Sequence, residues 1–230
     1  TMKKRTKTII AVIAGATILI GGIWMINESR YPNVPAFDDH FTREFLNKDK
    51  KVDDGFYEFK SKTGQYTMWF PEDFAIANDD GQGYSNNEQS YEDWRALSNK
   101  KERGENLIGQ LNLKFFERST KDEAVFVEAT FKRRFHVNEP HIIETKNKKI
   151  YYDSAYTYFK GTEEKVIKNK SNYISNTYVG YIVDKHSNKT IETSYDFIGD
   201  ELSKSNGEKI NEDFLKILKS IRFTGNINHE

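Results

Sequence analysis

Cysteine is absent from the 230 residues, and proline occurs only four times. No disulfide, Cys-ligated zinc, cysteine nucleophile or lipid-modified N-terminal cysteine can be built from this sequence. Net charge is also missing: 35 Lys and Arg face 35 Asp and Glu. A chain that grips nucleic acid by bulk positive charge is therefore excluded. Aromatic content of 14% is too rich for a disordered chain. The neutral total hides an asymmetry. Lys3, Lys4, Arg5 and Lys7 give residues 1–26 a charge of +4 with no acid, so the remaining 204 residues carry −4.

What is present begins with a long apolar run. Ile9 to Ile26 is eighteen consecutive apolar or small residues, about 27 Å of helix at ~1.5 Å per residue, close to the hydrocarbon thickness of a bilayer. Four cations precede it, which predicts a cytoplasmic N-terminus and an extracytoplasmic C-terminal part. A cleaved signal peptide has a shorter core followed by a small-residue site. Ala14-Gly15-Ala16 has that form but lies inside the run, so an uncleaved anchor is expected. The expected organisation is a cytoplasmic tip (1–8), a membrane anchor (9–26), a stalk with a short amphipathic helix (27–54), an extracytoplasmic domain (55–225) and a tail (226–230). The stalk helix rests on Phe37, Phe41 and Phe45 at i, i+4, i+8.

From Gly55 the pattern turns to period two. Phe56 to Phe59 and Gln65 to Phe70 read as a strand pair, and Pro71 stops the second strand. Residues 72–99 are polar and acidic and read as a long loop, either functional or mobile, with a helical turn around Tyr91 to Trp94. Leu107 to Phe115 alternates as a half-buried strand. Thr120 to Glu123 has the capping-box form and opens a helix to about Phe135. Ile142 to Glu144, Ile150 to Phe159, Tyr173 to Asp184 and Lys189 to Ile198 read as strands, the last two as a hairpin. Asn211 reads as the cap of a closing helix with Phe214, Ile217, Leu218 and Ile221 on one stripe. The fold class is α+β, a mainly antiparallel sheet with packing helices.

Two segments carry a family resemblance. Tyr66-Thr67-Met68-Trp69-Phe70-Pro71-Glu72-Asp73-Phe74 resembles the opening strand of domains shared by the photosystem subunit PsbP and the Ran-binding protein Mog. Asn211 to Phe223, with its Leu218, Ser220, Ile221 and Phe223, resembles their closing helix. The resemblance implies a sandwich of helices around an antiparallel sheet and an accessory, binding role. It implies no catalytic residue.

The catalytic motifs are missing as well. Gly83-Tyr84-Ser85 is only the first half of a nucleophile elbow, and no P-loop, H-E-x-x-H or dinucleotide fingerprint occurs. Asp79, Asp80 and Glu88 are weak metal candidates: a calcium loop begun at Asn78 places Gly83 correctly but puts Gln89 where the bidentate Glu belongs. No cofactor is expected. The candidate partner-binding residues are Tyr84, Tyr91 and Trp94 in the acidic stretch and the basic run Lys132, Arg133 and Arg134. Tyr151, Tyr152, Tyr156, Tyr158, Tyr178 and Tyr181 form a further aromatic set, which serves either a binding face or half-buried strands. The expectation is a membrane-anchored, non-enzymatic protein of the bacterial envelope that binds a protein partner as an assembly or immunity-type factor. The alternative is an envelope hydrolase or a ligand or metal sensor using residues 72–99.

Overall fold

A computed structural model describes residues 28, 30–78, 81–99, 107–118, 120–136, 139–168, 172–199 and 202–224. The apolar run 9–26 and the acids Asp79 and Asp80 lie outside the described residues. Among those described, no helix is long and apolar enough to cross a membrane.

Among the described residues, two antiparallel sheets and three α-helices of a turn or more make up the fold. The smaller sheet has the order β1 (Leu46–Asp53), β2 (Phe56–Lys60), β3 (Tyr66–Pro71), β13 (Arg222–Phe223). The larger runs β10 (Glu163–Ile167), β9 (Lys148–Lys160), β11 (Thr177–Asp184), β12 (Lys189–Gly199), β7 (Leu107–Glu117), β6 (Tyr91–Asn99), β4 (Ala75–Ile76). Strand β5 (Tyr84–Asn87) also pairs with β6, and β8 (His141–Glu144) with β9. The helices are the single turn α1 (Pro35–Asp38), α2 (Glu123–Phe135) and α3 (Lys204–Ser220).

The main core lies between the larger sheet and a layer made of the smaller sheet and α3. Phe45, Phe59, Phe70, Trp94, Phe115, Phe214 and Leu218 are among its members. Gly180 on β11 shows how close α3 lies: a Cβ there would sit 2.5 Å from Leu218 Cδ2. A second core forms on the opposite face, where Val127, Phe131 and Phe135 of α2 cover Val179, Tyr181 and Val183 of β11. The α+β reading of the sequence therefore holds, with helices on both faces of an antiparallel sheet.

Four local expectations are corrected. The helix expected over Phe37, Phe41 and Phe45 does not form. Asp39 accepts from Thr42 N (2.7 Å) and Thr42 Oγ1 (2.5 Å), and Thr42 Oγ1 accepts from Ile76 N (2.7 Å). Such side-chain capture competes with helical pairing, so the chain makes α1, a 3-10 turn (Thr42–Phe45) and then β1. Phe37 and Phe45 still reach the core, edge-on to Tyr57 and stacked on Phe59. Residues 72–99 are not a loop but contain β4, β5 and β6. The inward positions of β6 are Glu92, Trp94, Ala96 and Ser98, whose mixed polarity hides the period-two signal. Helix α2 forms where expected, but Thr120–Asp122 is a 3-10 turn and the cap, Asp122, makes no side-chain bond. Helix α3 starts seven residues before Asn211, capped by Ser203, whose hydroxyl accepts from Asn206 N at 3.2 Å.

The C-terminus of α3 is held by a buried lysine. Lys148 Nζ donates to the carbonyls of Leu218 (3.2 Å), Lys219 (2.7 Å) and Ile221, acceptors that a helix end leaves unpaired. Burial, with Arg222 nearby, pushes the ammonium down to about 8.

Candidate functional site

Among the described residues, the outer face of the larger sheet is only half covered. Helix α2 lies over β9 and β11, and its neighbours β12, β7 and β6 present their outer side chains beside it. Register fixes these into rows across the three strands. Tyr91 lies opposite Phe116. Asp93, Lys114 and Glu192 form the next row, then Arg95, Asn112 and Ser194, then Leu97, Gln110 and Asp196. Ile108 and Ile198 close the series. The four steps of ~6.8 Å between five rows make the face about 27 Å long, and the two steps of ~4.8 Å between three strands make it about 10 Å wide. That is roughly a third of the ~800 Å² each partner gives to a standard interface, before α2 adds its own flank.

The rows are held by pairs within the face. Arg133 of α2 donates to Glu192 (3.1 Å) and Arg134 to Asp196 (2.9 Å). Ser194 Oγ donates to the second Asp196 oxygen at 2.8 Å, and Asn112 Nδ2 donates to Ser194 Oγ at 3.0 Å. Lys114 lies 3.8 Å from Asp93, which also accepts from the Tyr91 hydroxyl at 3.0 Å. Burial holds the Asp196 carboxyl above its usual range, although Arg134 and Ser194 oppose that shift. The Arg118 guanidinium is sandwiched between the Phe116 and Phe126 rings, 3.8 and 4.3 Å from their centroids. At the far end Leu97 (37% exposed), Ile108 (37%) and Ile198 (63%) leave an apolar rim in solvent. The face is thus polar and charge-balanced in its middle and apolar at one end.

The structure brings three of the expected residues onto this face: Tyr91, Arg133 and Arg134. Lys132 sits on the exposed side of α2 and pairs with Glu128 of its own helix at 3.3 Å. Trp94 is corrected from a surface candidate to a core residue. It is 1% exposed, and its Nε1 donates to the Tyr66 hydroxyl at 2.9 Å. Tyr84 also turns inward, with its ring against Phe41 and Phe45 and its hydroxyl donating to Glu92 at 2.7 Å. Glu92 is fully buried in that contact, accepts also from Lys62 N at 3.1 Å, and is raised above its usual range by burial. Glu88 is exposed at the β5–β6 turn with φ 43°.

Among the described residues, no group of three or more His, Asp or Glu is placed to hold a metal ion. An acidic cavity of about 230 Å³ lies between the two sheets and α3, where Glu72, Asp213, Phe74 and Tyr195 meet. Its Glu72 pairs with Lys51 (3.3 Å) and its Asp213 with Lys209 (3.0 Å). Residues that sequence reasoning missed are Asp93, Arg95, Leu97 and Ile108. The outward alternation of Gln110, Asn112 and Lys114 was visible, but with β6 read as loop the face lacked its third strand.

Residues 32–222 match the family model described as "Putative lipoprotein YvcA", which joins YvcA with Mog1p. The chain belongs to this YvcA/Mog1p family. Neither curated proteins nor solved structures give a match to the chain. The YvcA/Mog1p match agrees with the Mog side of the motif resemblance, whereas the likeness to PsbP rests on the two motifs alone. It begins at Pro32, in keeping with Phe37 and Phe45 belonging to the core. A lipoprotein family fits an extracytoplasmic protein associated with the cell envelope. The 230 residues of this YvcA/Mog1p member nevertheless contain no cysteine to carry a lipid.

Proposed function

We propose that the chain is a non-catalytic binding protein of the cell envelope, anchored by residues 9–26, which holds a protein partner on the open outer face of β6, β7 and β12. The observation that carries this reading is the uncovered half of the outer face. It is three strands wide, internally paired in the middle and bounded by an apolar rim. Such a mixture of pre-paired polar groups and a few apolar side chains is what non-obligate protein interfaces offer. The carboxylates Asp93, Glu192 and Asp196 each lie beside a cation, an arrangement suited to complementary recognition rather than to proton transfer. In this role the protein is an accessory or assembly factor of the envelope.

The test is photo-crosslinking in the native membrane. A photoreactive residue is placed at Asn112 or Arg95 on the open face, or at Lys60, which is exposed on the smaller sheet. A discrete adduct is expected from Asn112 and Arg95 and not from Lys60, and Lys114→Glu should abolish it. Equal adducts from Lys60, or none from the open face, would refute the assignment.

A further inference from the structure

The inner face of the larger sheet carries a second open site, independent of the outer one. Here β9 extends beyond the edge of α3. Tyr152 lies opposite Gly180 and Ser154 opposite Tyr178, the two β11 residues that α3 covers through Leu218 and Phe214. Tyr152 and Ser154 thus stand just outside the helix. A groove of about 540 Å³ results. Asn211 and Leu215 of α3 form one wall, Tyr173 and Ser175 the other, and His141 of β8 closes an end.

Its chemistry is distinctive in three respects. The one acid that lines it, Asp153, is taken up by a close ion pair with Lys168 and by the Ser154 N–H at 2.8 Å. Among the described residues that line the groove, that leaves no free carboxylate, ammonium or guanidinium to select an ion. Its polar groups are hydroxyls, an amide and an imidazole, which donate and accept equally well. The Ser154 and Ser175 hydroxyls already pair at 3.1 Å. It also holds two aromatic platforms. Tyr173 is 47% exposed and is backed by the Tyr156 ring at 5.1 Å; Tyr152 lies beside His141 at 5.4 Å. A backed ring with one face in solvent is pre-organised for stacking. A peptide strand is a poor occupant, because β8 and β10 already pair the edge of β9 up to Tyr152 and from Tyr156 onward. Only three residues of edge remain.

We propose that this groove binds a neutral oligosaccharide, with pyranose faces on Tyr173 and Tyr152 and sugar hydroxyls bonded to Ser154, Ser175 and Asn211. Tyrosine suits the role, as its ring stacks while its hydroxyl stays wet, and mixed apolar and polar linings of this size are what small-ligand sites use.

The test is calorimetric titration of the full chain, in detergent, with chitotetraose and with maltotetraose. Saturable binding of at least one probe is expected, and the preference tells an amino-sugar polymer from a glucan. Tyr173→Ala should weaken it at least tenfold, about 1.4 kcal/mol, while Tyr173→Trp retains it. Because Tyr173 is exposed, its alanine variant should keep the wild-type circular dichroism. Binding of neither probe, or binding unchanged in Tyr173→Ala with Tyr152→Ala equally without effect, would overturn the proposal.

Discussion

The Arg134–Asp196 pair decides whether the basic run on α2 is free to meet a partner or is committed to the fold. Arg134→Met is the informative change: it keeps most of the aliphatic stem against the sheet and removes the guanidinium. Exposed ion pairs contribute about 0.2–1 kcal/mol, whereas removing one partner of a buried pair costs about 3–5 kcal/mol. The two side chains are 32% and 14% exposed, and Asp196 keeps its Ser194 bond, so the expected loss is intermediate, about 2 kcal/mol. Asp196→Asn should cost about 1 kcal/mol, because it strands only the more exposed partner. The double variant should cost about 1.5 kcal/mol, which gives a coupling of about 1.5 kcal/mol in the thermodynamic cycle. Urea titrations of the four proteins measure it. The pH dependence is a second reading of the same contact. Burial raises the folded Asp196 above the unfolded value of about 3.9. The native state then holds more protons than the unfolded state just above that value, and stability falls as pH rises through the window. Loss of Arg134 raises the carboxyl further, so the variant's deficit should be nearly absent at about pH 4 and fully developed at neutrality. A deficit under about 0.5 kcal/mol that does not change with pH would refute the reasoning and return Arg134 to the set of free surface cations.

Two further outcomes follow from the core. Glu92→Gln keeps an acceptor for the Tyr84 hydroxyl and Lys62 N but removes a carboxylate that burial raises. Wild-type stability should fall as pH climbs above the unfolded value of about 4.3, and the variant should lack that part of the slope; identical slopes in urea titrations across this range would contradict it. Gly180→Ala places a Cβ 2.5 Å from Leu218 Cδ2 and should cost about 1–3 kcal/mol through overpacking, read as a lowered thermal midpoint. The double change Gly180→Ala with Leu218→Val should recover part of that loss.

The readable parts of the sequence were those in which one physical signal acted alone. In β12, Ile191, Thr193, Tyr195 and Phe197 alternate cleanly with Glu192, Ser194 and Asp196, and the structure keeps that division. The stripe Phe214, Ile217, Leu218 and Ile221 is buried as expected. The misread parts had competing signals. The i, i+4, i+8 phenylalanines before β1 have helical spacing, but the Asp39–Thr42 contact and the long-range bond to Ile76 outweigh it. Strand β6 buries Glu92 and Ser98, and the contact that makes Glu92 tolerable, the Tyr84 hydroxyl, comes from its hairpin partner. Of the six strand tyrosines, Tyr178 and Tyr181 are buried while Tyr158 is exposed. Nothing local separates them; the positions of α2 and α3 do.

Those helix positions also explain why, among the described residues, the sheet has open places on both faces. Seven strands lie side by side in the larger sheet, about 29 Å across at ~4.8 Å per step, against ~10–12 Å for a helix with its side chains. One helix cannot cover such a face. On the inner side, the smaller sheet joins α3, and among the described residues the inner face of β9 from Tyr152 and Ser154 to the exposed Tyr158 extends beyond them. On the outer side α2 works alone over β9 and β11, and β12, β7 and β6 stay open. The residues at the uncovered positions fit this geometry: Asp93, Lys114, Glu192 and Asp196 form satisfied pairs rather than a greasy surface, and tyrosines and serines line the inner groove. An uncovered apolar sheet face would drive aggregation. A polar, internally paired face stays soluble yet presents fixed groups, so the width of the sheet itself accounts for both of the surfaces proposed above.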